Sequence, residues 1–228
     1  MTAEQWAQTL DAVQARSTQR SSAIARRGLD LSLSLPLLVL LAPLLALIAA
    51  AVRLDSSGPA IYRQHRVGLR GREFEVHKFR SMRSGADTKR HRDYVNQLIG
   101  GADDVQPGEE GLYKLVVDDR ITRVGRFLRR WSLDELPQLW NVVLGEMALV
   151  GPRPVIPYEV ERYPDWYHGR FTVKPGLTGL WQVSGRNEKT YEEMVELDIE
   201  YARRRTVWLD LKILARTALV VLTHRGVA

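Results

Sequence analysis

Two adjacent carboxylates, Asp134 and Glu135, are the side chains in this sequence best suited to chemistry. They precede an apolar segment with helical spacing, and the run ends in a Gly-Pro-Arg-Pro turn at 151–154 that presents Arg153 between two prolines. A carboxylate at a helix start is favoured in its ionised form, and a rigidly held guanidinium binds anions. Together these residues indicate a reaction centre that handles an anion.

The same carboxylates also have a purely structural interpretation. Ser132-Leu-Asp-Glu135 has the spacing of a capping box, with Ser132 at the N-cap and Glu135 at the third helical position. In the chemical interpretation, neighbouring helical residues project about 100° apart, so the pair cannot flank one bond as two glycosidase carboxylates do. One would attack while the other binds a metal or orients a partner. Spacing alone leaves both interpretations open.

An acidic nucleophile that approaches a phosphate needs cations beside it. Two unit charges about 4 Å apart repel by about 4 kcal/mol at an effective dielectric of about 20. Mg²⁺, held by Asp134 and Glu135, is the expected metal, because the chain offers hard oxygen ligands and no cysteine. Arg153 is predicted to clamp a phosphate.

The composition narrows the class of protein. The chain has 228 residues, a net charge of +6, no cysteine and five histidines that show no zinc-ligand spacing. Disulfide scaffolds and thiolate metal sites are therefore excluded. The basic balance predicts an acidic partner, such as a phosphate, an anionic lipid headgroup or nucleic acid.

One apolar segment is long enough to cross a bilayer. Leu31 to Val52 carries no charge and would extend about 33 Å as a helix, against a hydrocarbon core of about 30 Å. Basic residues lie on both sides of it, and they prefer the cytoplasmic face. Pro43 near the middle favours a break. A re-entrant helix-break-helix that enters and leaves on one face fits both observations, although prolines also kink true spanning helices.

The remaining segments predict a small mixed core with surface helices. A β-hairpin is expected from 60–64 and 74–79, and residues 84–118 read as a mobile insertion. Residues 121–130 form a basic amphipathic pattern that is typical of a membrane-surface helix. Residues 1–27 indicate an interfacial helix or a flexible tail. Trp208 to Leu222 predicts a last amphipathic helix, on the membrane or in the core.

Two glycine- and charge-rich stretches complete the candidate site. Glycines 176, 179 and 185 would let the backbone approach a ligand closely. Thr190-Tyr-Glu-Glu193 is a capping box that should open a helix containing Asp198.

Several motifs, in order, resemble the small monotopic phosphoglycosyl transferases of bacteria, the bacterial sugar transferase domain. The resemblance runs from about Arg27 to Leu222. The motifs that carry it are Lys78-Phe-Arg-Ser-Met82, Ser132-Leu-Asp-Glu-Leu-Pro-Gln-Leu139, Val150-Gly-Pro-Arg-Pro154, Pro175-Gly-Leu-Thr-Gly179, Gln182-Val-Ser-Gly-Arg-Asn187 and Leu209-Asp-Leu-Lys-Ile213.

The resemblance implies transfer of a sugar 1-phosphate from a UDP-sugar to polyprenyl (undecaprenyl) phosphate, with release of UMP. It implies Asp134 as the nucleophile of a covalent aspartyl–phosphosugar intermediate, Glu135 as its partner, and Mg²⁺ as the metal. Covalent catalysis of this kind predicts ping-pong kinetics. The charged active-site positions of the family fall on Lys78, Arg129, Arg153, Arg186 and Asp198.

The resemblance also implies a fold: α/β, mostly helical, with a re-entrant anchor and amphipathic interfacial helices around a small mixed catalytic core. We expect an N-terminal segment at 1–27, the anchor at 28–54 with its break at Pro43, and a catalytic domain at 55–228. Family members often have Ser-Pro at the break, whereas this chain has Ala42-Pro43. Large members place further membrane helices and another domain before the catalytic part.

The expected location is the cytoplasmic face of the bacterial inner membrane, in initiation of exopolysaccharide, capsule or glycan synthesis. Expected partners are the UDP-sugar, polyprenyl phosphate and membrane lipid, without nucleic acid; a second copy of the chain is a further candidate. The stretch Trp181-Gln-Val-Ser-Gly-Arg186 resembles members that move hexoses rather than acetamido sugars. The alternative function is a non-catalytic, membrane-anchored binder of anionic lipid or nucleic acid.

Overall fold

The computed structural model describes residues 20–83, 120–185 and 189–223. Within these ranges the chain is mostly helical, with two small two-stranded sheets and one long apolar helix near the N-terminus. The segment before residue 20, the whole of the 84–118 insertion and Arg186 lie outside the described residues, so the predictions for them stay predictions.

The first helix, α1 (Arg20–Asp55), is the apolar anchor segment. Among the described residues it alone has the length and apolar composition to cross a bilayer, over Ala23–Asp55, a criterion that core helices and signal sequences also meet. Only 11 % of its most apolar stretch is buried, which is unlike a core helix. Pro43 does not end the helix, because a proline removes one hydrogen bond and bends a helix without having to terminate it.

Both ends of α1 are held by the same folded body. Near its N-terminal end, Asp30 Oδ1 accepts a hydrogen bond from the Leu149 amide at 2.9 Å. At its C-terminal end, Asp55 Oδ2 accepts one from the Val124 amide at 2.8 Å. Val52 of α1 is buried in an apolar cluster with partners from outside the helix. The middle of the helix therefore projects its exposed leucines away from a body that fixes both ends.

Two small sheets frame the centre of the molecule. Strands β1 (Ile61–Val67) and β2 (Glu73–Phe79) pair antiparallel, which confirms the hairpin. Strands β3 (Ala148–Val150) and β4 (Gly176–Thr178) pair in parallel. A side chain on Gly176 would meet the Gly151 amide nitrogen at 2.0 Å, so the close neighbour of this glycine is the protein's own backbone, and the approach to a ligand stays a prediction.

The other helices pack around these strands. They are α2 (Arg123–Arg130), α3 (Gln138–Leu144), α4 (Pro157–Val160), α5 (Tyr191–Arg204) and α6 (Val207–Thr223), with 3₁₀ turns at Leu69–Gly71, Leu133–Glu135, Asp165–Thr172 and Trp181–Val183. The predicted basic helix is confirmed as α2, and the predicted capping box of Thr190 and Glu193 opens α5.

The last helix, α6, packs in the core by one face, and its contact with the membrane stays a prediction. Its Ile213 side chain is buried in the core with Leu139 and Val142 of α3. Trp208 and Leu211, which helical spacing placed on the apolar face, are exposed. The helix therefore packs by one face and presents apolar side chains on another.

Candidate active site

The turn that carries Asp134 and Glu135 is not a capping box. Ser132 has φ 53° and ψ 22°, in the left-handed region, and its side chain makes no capping hydrogen bond. An N-cap requires extended backbone, whereas Ser132 lies two residues after the end of α2 in a left-handed conformation. The carboxylates stand on the 3₁₀ turn Leu133–Glu135, and the α-helix begins only at Gln138. The structural interpretation of Glu135 as a cap is therefore wrong, and its side chain is used elsewhere.

Glu135 faces two cations that come from distant parts of the chain. The Lys78 ammonium, on β2, donates to Glu135 Oε1 at 2.8 Å. Nη1 of Arg153, in the turn after β3, lies 3.9 Å from the same oxygen. All three side chains are about four-fifths buried, with exposures of 17 %, 23 % and 24 %. Burial lowers the pKa of Lys78 and so does the charge of Arg153, while Glu135 raises it.

A third cation, Arg66, lies beside Lys78 and Arg153 in the wall of the same cleft. Its side chain on β1 is buried, and Nη1 donates to the Pro154 carbonyl oxygen at 3.0 Å. Nη2 donates to Gln64 Oε1 at 2.7 Å. Burial and the neighbouring Arg153 charge lower its pKa to about 10, so the guanidinium stays charged at neutral pH. Sequence reasoning treated Arg66 as a basic residue flanking the membrane segment, and the burial pattern along β1 does not alternate, so local spacing held no signal that would have placed it inside.

Asp134 adjoins this cluster without being buried in the core. It precedes Glu135 in the same 3₁₀ turn and is half-buried. Its negative charge acts on Lys78 in the direction that raises the lysine pKa. Asp134 keeps part of its surface exposed next to Glu135, as the chemical interpretation requires, but it is not among the residues that line the cleft.

The cleft itself is narrow and lined by charge. Its walls are Arg66, Val76, Lys78, Glu135, Gln138, Arg153, Pro154, Gly176, Leu177 and Gln182. Gln182 Oε1 is buried and has no hydrogen-bond partner among the described residues. A buried acceptor without a partner is uncommon in a folded protein, which makes Gln182 a candidate for a ligand contact. The sequence motif contained Gln182, but nothing in its spacing distinguished it.

Asp198 lies behind the cleft, with its side chain fully buried in α5. It pairs with Arg170, whose Nη2 also donates to the Arg153 carbonyl oxygen at 3.3 Å. Arg170 Nη1 donates to the Tyr163 hydroxyl at 3.0 Å. Burial raises the pKa of Asp198 to about 6, against the opposing effects of Arg170 and Arg153. In this position Asp198 acts on the Arg153 turn through Arg170, which sequence reasoning missed.

Two other predicted site residues, Arg129 and Pro43, are not among the residues that line the cleft. Arg129 is half-buried on α2, one turn before Asp134, and its carbonyl oxygen accepts the Ser132 amide. Pro43 lies in the middle of α1. Of the predicted phosphate-binding residues, the structure brings Lys78 and Arg153 into one cleft with Glu135.

The family model for bacterial sugar transferases matches residues 21–224. The chain belongs to the bacterial sugar transferase family. Three similar members of the family agree with this assignment. An undecaprenyl-phosphate galactose phosphotransferase of Salmonella typhimurium is 42 % identical over 94 % of this chain and 44 % of its own length. A UDP-galactose-lipid carrier transferase of Erwinia amylovora is 45 % identical, over 91 % and 42 %. An exopolysaccharide production protein of Rhizobium meliloti is 37 % identical, over 89 % and 88 %. This sugar transferase chain thus spans less than half the length of the first two relatives.

Magnesium remains a prediction for this sugar transferase, whose two adjacent carboxylates are of the type that shares such an ion with a ligand. No group of three acidic, histidine or cysteine side chains occurs in the part of the chain that the structure describes. Mg²⁺ is commonly bound by one or two carboxylates together with substrate phosphates and water. Asp134 and Glu135 supply such a pair of hard oxygen donors, and Oε1 of Glu135 already faces Lys78.

Proposed function

We propose that this chain is a phosphoglycosyl transferase that moves a sugar 1-phosphate from a UDP-sugar to polyprenyl phosphate, as the first membrane step of polysaccharide synthesis. The observation that carries the proposal is the cleft in which Glu135 lies between Lys78 and Arg153, with Asp134 beside it. Three cations and two carboxylates give a net positive cleft suited to a diphosphate. Two of the relatives described above are named for galactose, which supports a hexose as the sugar.

In the first step, a carboxylate oxygen of Asp134 attacks the phosphorus that carries the sugar. The bond from that phosphorus to the bridging oxygen breaks, and UMP leaves with the bridging oxygen. The product is an aspartyl–phosphosugar. Lys78, Arg66 and Arg153 offset the repulsion between the incoming carboxylate and the diphosphate, and because they are held in place they need little reorganisation during the reaction.

In the second step, a phosphate oxygen of polyprenyl phosphate attacks the same phosphorus. The bond to Asp134 breaks, the carboxylate is regenerated, and the sugar leaves on a polyprenyl diphosphate. Glu135 stays fixed by Lys78 throughout and keeps the turn in position. Division into two displacements is ordinary covalent catalysis.

Asp134 and Glu135 would hold Mg²⁺ jointly with the donor phosphates. When bound, the ion would neutralise charge on the diphosphate and so assist departure of UMP. The contact of Glu135 Oε1 with Lys78 leaves this carboxylate oriented toward the cleft, where the cation and the phosphates would meet.

We propose that α1 is re-entrant and that the catalytic body sits at the cytoplasmic face of the inner membrane. The contacts of Asp30 with Leu149 and of Asp55 with Val124 support this topology. A helix that crossed the bilayer would carry these two ends to opposite sides, although one folded body holds both. Basic residues at both ends favour the cytoplasmic side.

A panel of UDP-sugars, assayed with and without polyprenyl phosphate and with and without Mg²⁺, tests the function. We expect UMP release from one or a few UDP-hexoses, only with Mg²⁺, and formation of a polyprenyl diphosphate sugar. Absence of UMP with every UDP-sugar, together with salt-sensitive binding of anionic vesicles, would instead support a non-catalytic membrane binder.

A further inference from the structure

A second charged cavity opens beside the N-terminal turns of α1. It has a volume of about 540 Å³ and shares no lining residue with the catalytic cleft. Five cations line it: Arg26, Arg27, Arg70, Lys174 and Arg205. Two acids, Asp30 and Asp210, also reach it, so its formal charge is strongly positive.

The cations of this cavity stand close to one another. The Lys174 ammonium and Nη2 of Arg27 lie 3.4 and 3.5 Å from the point where a Gly145 side chain would begin, so they are neighbours. Burial lowers the pKa of Lys174, and the Arg27 charge lowers it further. Burial and a neighbouring cation, here Arg26, likewise lower the pKa of Arg205. Like charges gathered at a partly buried site favour a bound anion.

One hydrogen-bond donor of a cavity-lining residue has no acceptor in the protein. Arg205 Nε is buried and has no hydrogen-bond partner among the described residues. By contrast, Arg27 is occupied, because it donates to the Val142 and Val143 carbonyl oxygens at 2.6 and 2.7 Å. A buried guanidinium nitrogen without an acceptor indicates an acceptor that the polypeptide does not supply.

The acids of the cavity offset part of this positive charge, since Asp30 acts to raise the pKa of Lys174 and Asp210 that of Arg205, but the five cations outnumber them. Asp30 Oδ1 accepts the Leu149 amide at 2.9 Å. The Tyr201 hydroxyl lies 3.0 Å from the Val150 carbonyl oxygen and 2.7 Å from Asp210 Oδ1. One hydroxyl proton serves only one of these acceptors, so a protonated Asp210 satisfies the arrangement. Burial raises the pKa of Asp210 in the same direction.

We propose that this cavity binds the phosphate group of an anionic phospholipid headgroup, at a site separate from the catalytic cleft. Arg205 and Lys174 hold the phosphate oxygens, and Arg26 and Arg70 flank them. The assignment to a lipid rests on the proposed topology of α1, in which residues 23–30 lie at the membrane surface. Leu33 and Leu35, one to two turns further along α1, are exposed and would contact the acyl chains.

Such a site would fix the depth of the catalytic body at the membrane. The two sites are joined through the small parallel sheet: Ala148 and Val150 line the cavity, whereas Gly176 and Leu177 line the cleft. A lipid bound at one wall of this sheet would hold the other wall, and the cleft, at a constant distance from the bilayer.

Titration of the full chain in detergent with short-chain phosphatidylglycerol tests the proposal. The readout is the concentration dependence of the melting temperature, and short-chain phosphatidylcholine and inorganic phosphate serve as comparison ligands. We expect phosphatidylglycerol to bind at least tenfold more tightly than either. Because one bond to a charged group is worth about a factor of ten or more, Arg205→Gln and Lys174→Gln should each weaken binding about tenfold. Arg203→Gln, an exposed arginine of α5, is the matched control and should change nothing.

Three results would overturn the proposal. These are equal binding of phosphatidylcholine, equal binding of inorganic phosphate, and Arg205→Gln and Lys174→Gln variants that bind as the Arg203→Gln control does. If one of the two variants fails to fold, the other still tests the proposal. The melting temperature measured without lipid shows whether each variant is folded. UMP release from a UDP-sugar, measured in detergent on the same samples, should be unchanged by Arg205→Gln. It separates loss of the lipid site from failure of the proposed catalysis.

Discussion

The Lys78 ammonium lies 2.8 Å from Glu135 Oε1, and this contact joins strand β2 to the turn that carries the candidate nucleophile. The two residues are 57 positions apart in the chain. Arg153 approaches the same oxygen at 3.9 Å from the turn after β3. Glu135 is therefore held by cations from two elements, which sets the orientation of its neighbour Asp134.

Removal of the Lys78 charge should slow catalysis more than it destabilises the fold. We expect Lys78→Gln to reduce UMP release by about a hundredfold, because one fixed donor to a developing charge is worth about that much. Arg63→Gln on the adjacent strand is the matched control, since Arg63 is exposed and lies 3.9 Å from Glu75. Equal turnover by both variants would contradict a role for Lys78 in the cleft.

The Arg170–Asp198 pair should matter for stability and for Arg153. Arg170→Met leaves a fully buried carboxylate unpaired, and we expect a loss of about 3–5 kcal/mol in the free energy of unfolding. Arg170→Lys keeps the charge but cannot bind Asp198, Tyr163 and the Arg153 carbonyl together. It should lose less stability and raise KM for the UDP-sugar. Chemical denaturation in detergent measures the change in stability, and steady-state kinetics measure the change in KM. An unchanged KM in the lysine variant would contradict the prediction that Arg170 supports donor binding through Arg153.

Gln182 should contribute to donor binding without contributing to the fold. Its buried Oε1 has no partner among the described residues, so Gln182→Leu removes no hydrogen bond at that atom. We expect the melting temperature to stay the same or rise, while KM for the UDP-sugar rises about tenfold, as for loss of one or two neutral hydrogen bonds. A lower melting temperature with unchanged KM would assign Gln182 to the fold instead.

Labelling of single introduced cysteines can determine the membrane topology of α1, because the sequence contains no cysteine of its own. We expect Ala12→Cys and Ser57→Cys in right-side-out membrane vesicles to resist a membrane-impermeant maleimide, and both to react once the vesicles are opened. A cysteine introduced at Arg53 is a second reporter for the C-terminal side. Reaction of one of the two ends in sealed vesicles would mean that α1 spans the bilayer.

The local elements were predictable, whereas the contacts that build the site were not. Alternation predicted the hairpin, and Thr190 with Glu193 predicted the start of α5, because these signals act within a few residues. The interpretation of Ser132 as an N-cap was wrong because Ser132 adopts the left-handed conformation shortly after the end of α2. The spacing of the residues does not encode this backbone conformation. The burial of Arg66 depends in the same way on a long-range contact, with the carbonyl of Pro154.

The link between Asp198 and the cleft was likewise not predictable from local sequence. The family resemblance indicated a charged position at Asp198, but the link through Arg170 to the Arg153 carbonyl spans three separate segments. For α1, hydropathy predicted the apolar helix and Pro43 predicted a break. The structure keeps α1 as one helix through Pro43, because a proline bends a helix without having to terminate it.

The covalent role of Asp134 is tested most directly by intact-protein mass spectrometry after the chain is mixed with its UDP-sugar and Mg²⁺ in the absence of polyprenyl phosphate. We expect the protein to gain the mass of one sugar phosphate, to release UMP in equal amount, and to lose the added mass when polyprenyl phosphate is supplied. Asp134→Asn, which keeps the size of a half-exposed side chain, should fold and gain nothing. An Asp134→Asn protein that gains the same mass, or a natural chain that turns over without ever gaining it, would contradict the aspartyl–phosphosugar mechanism.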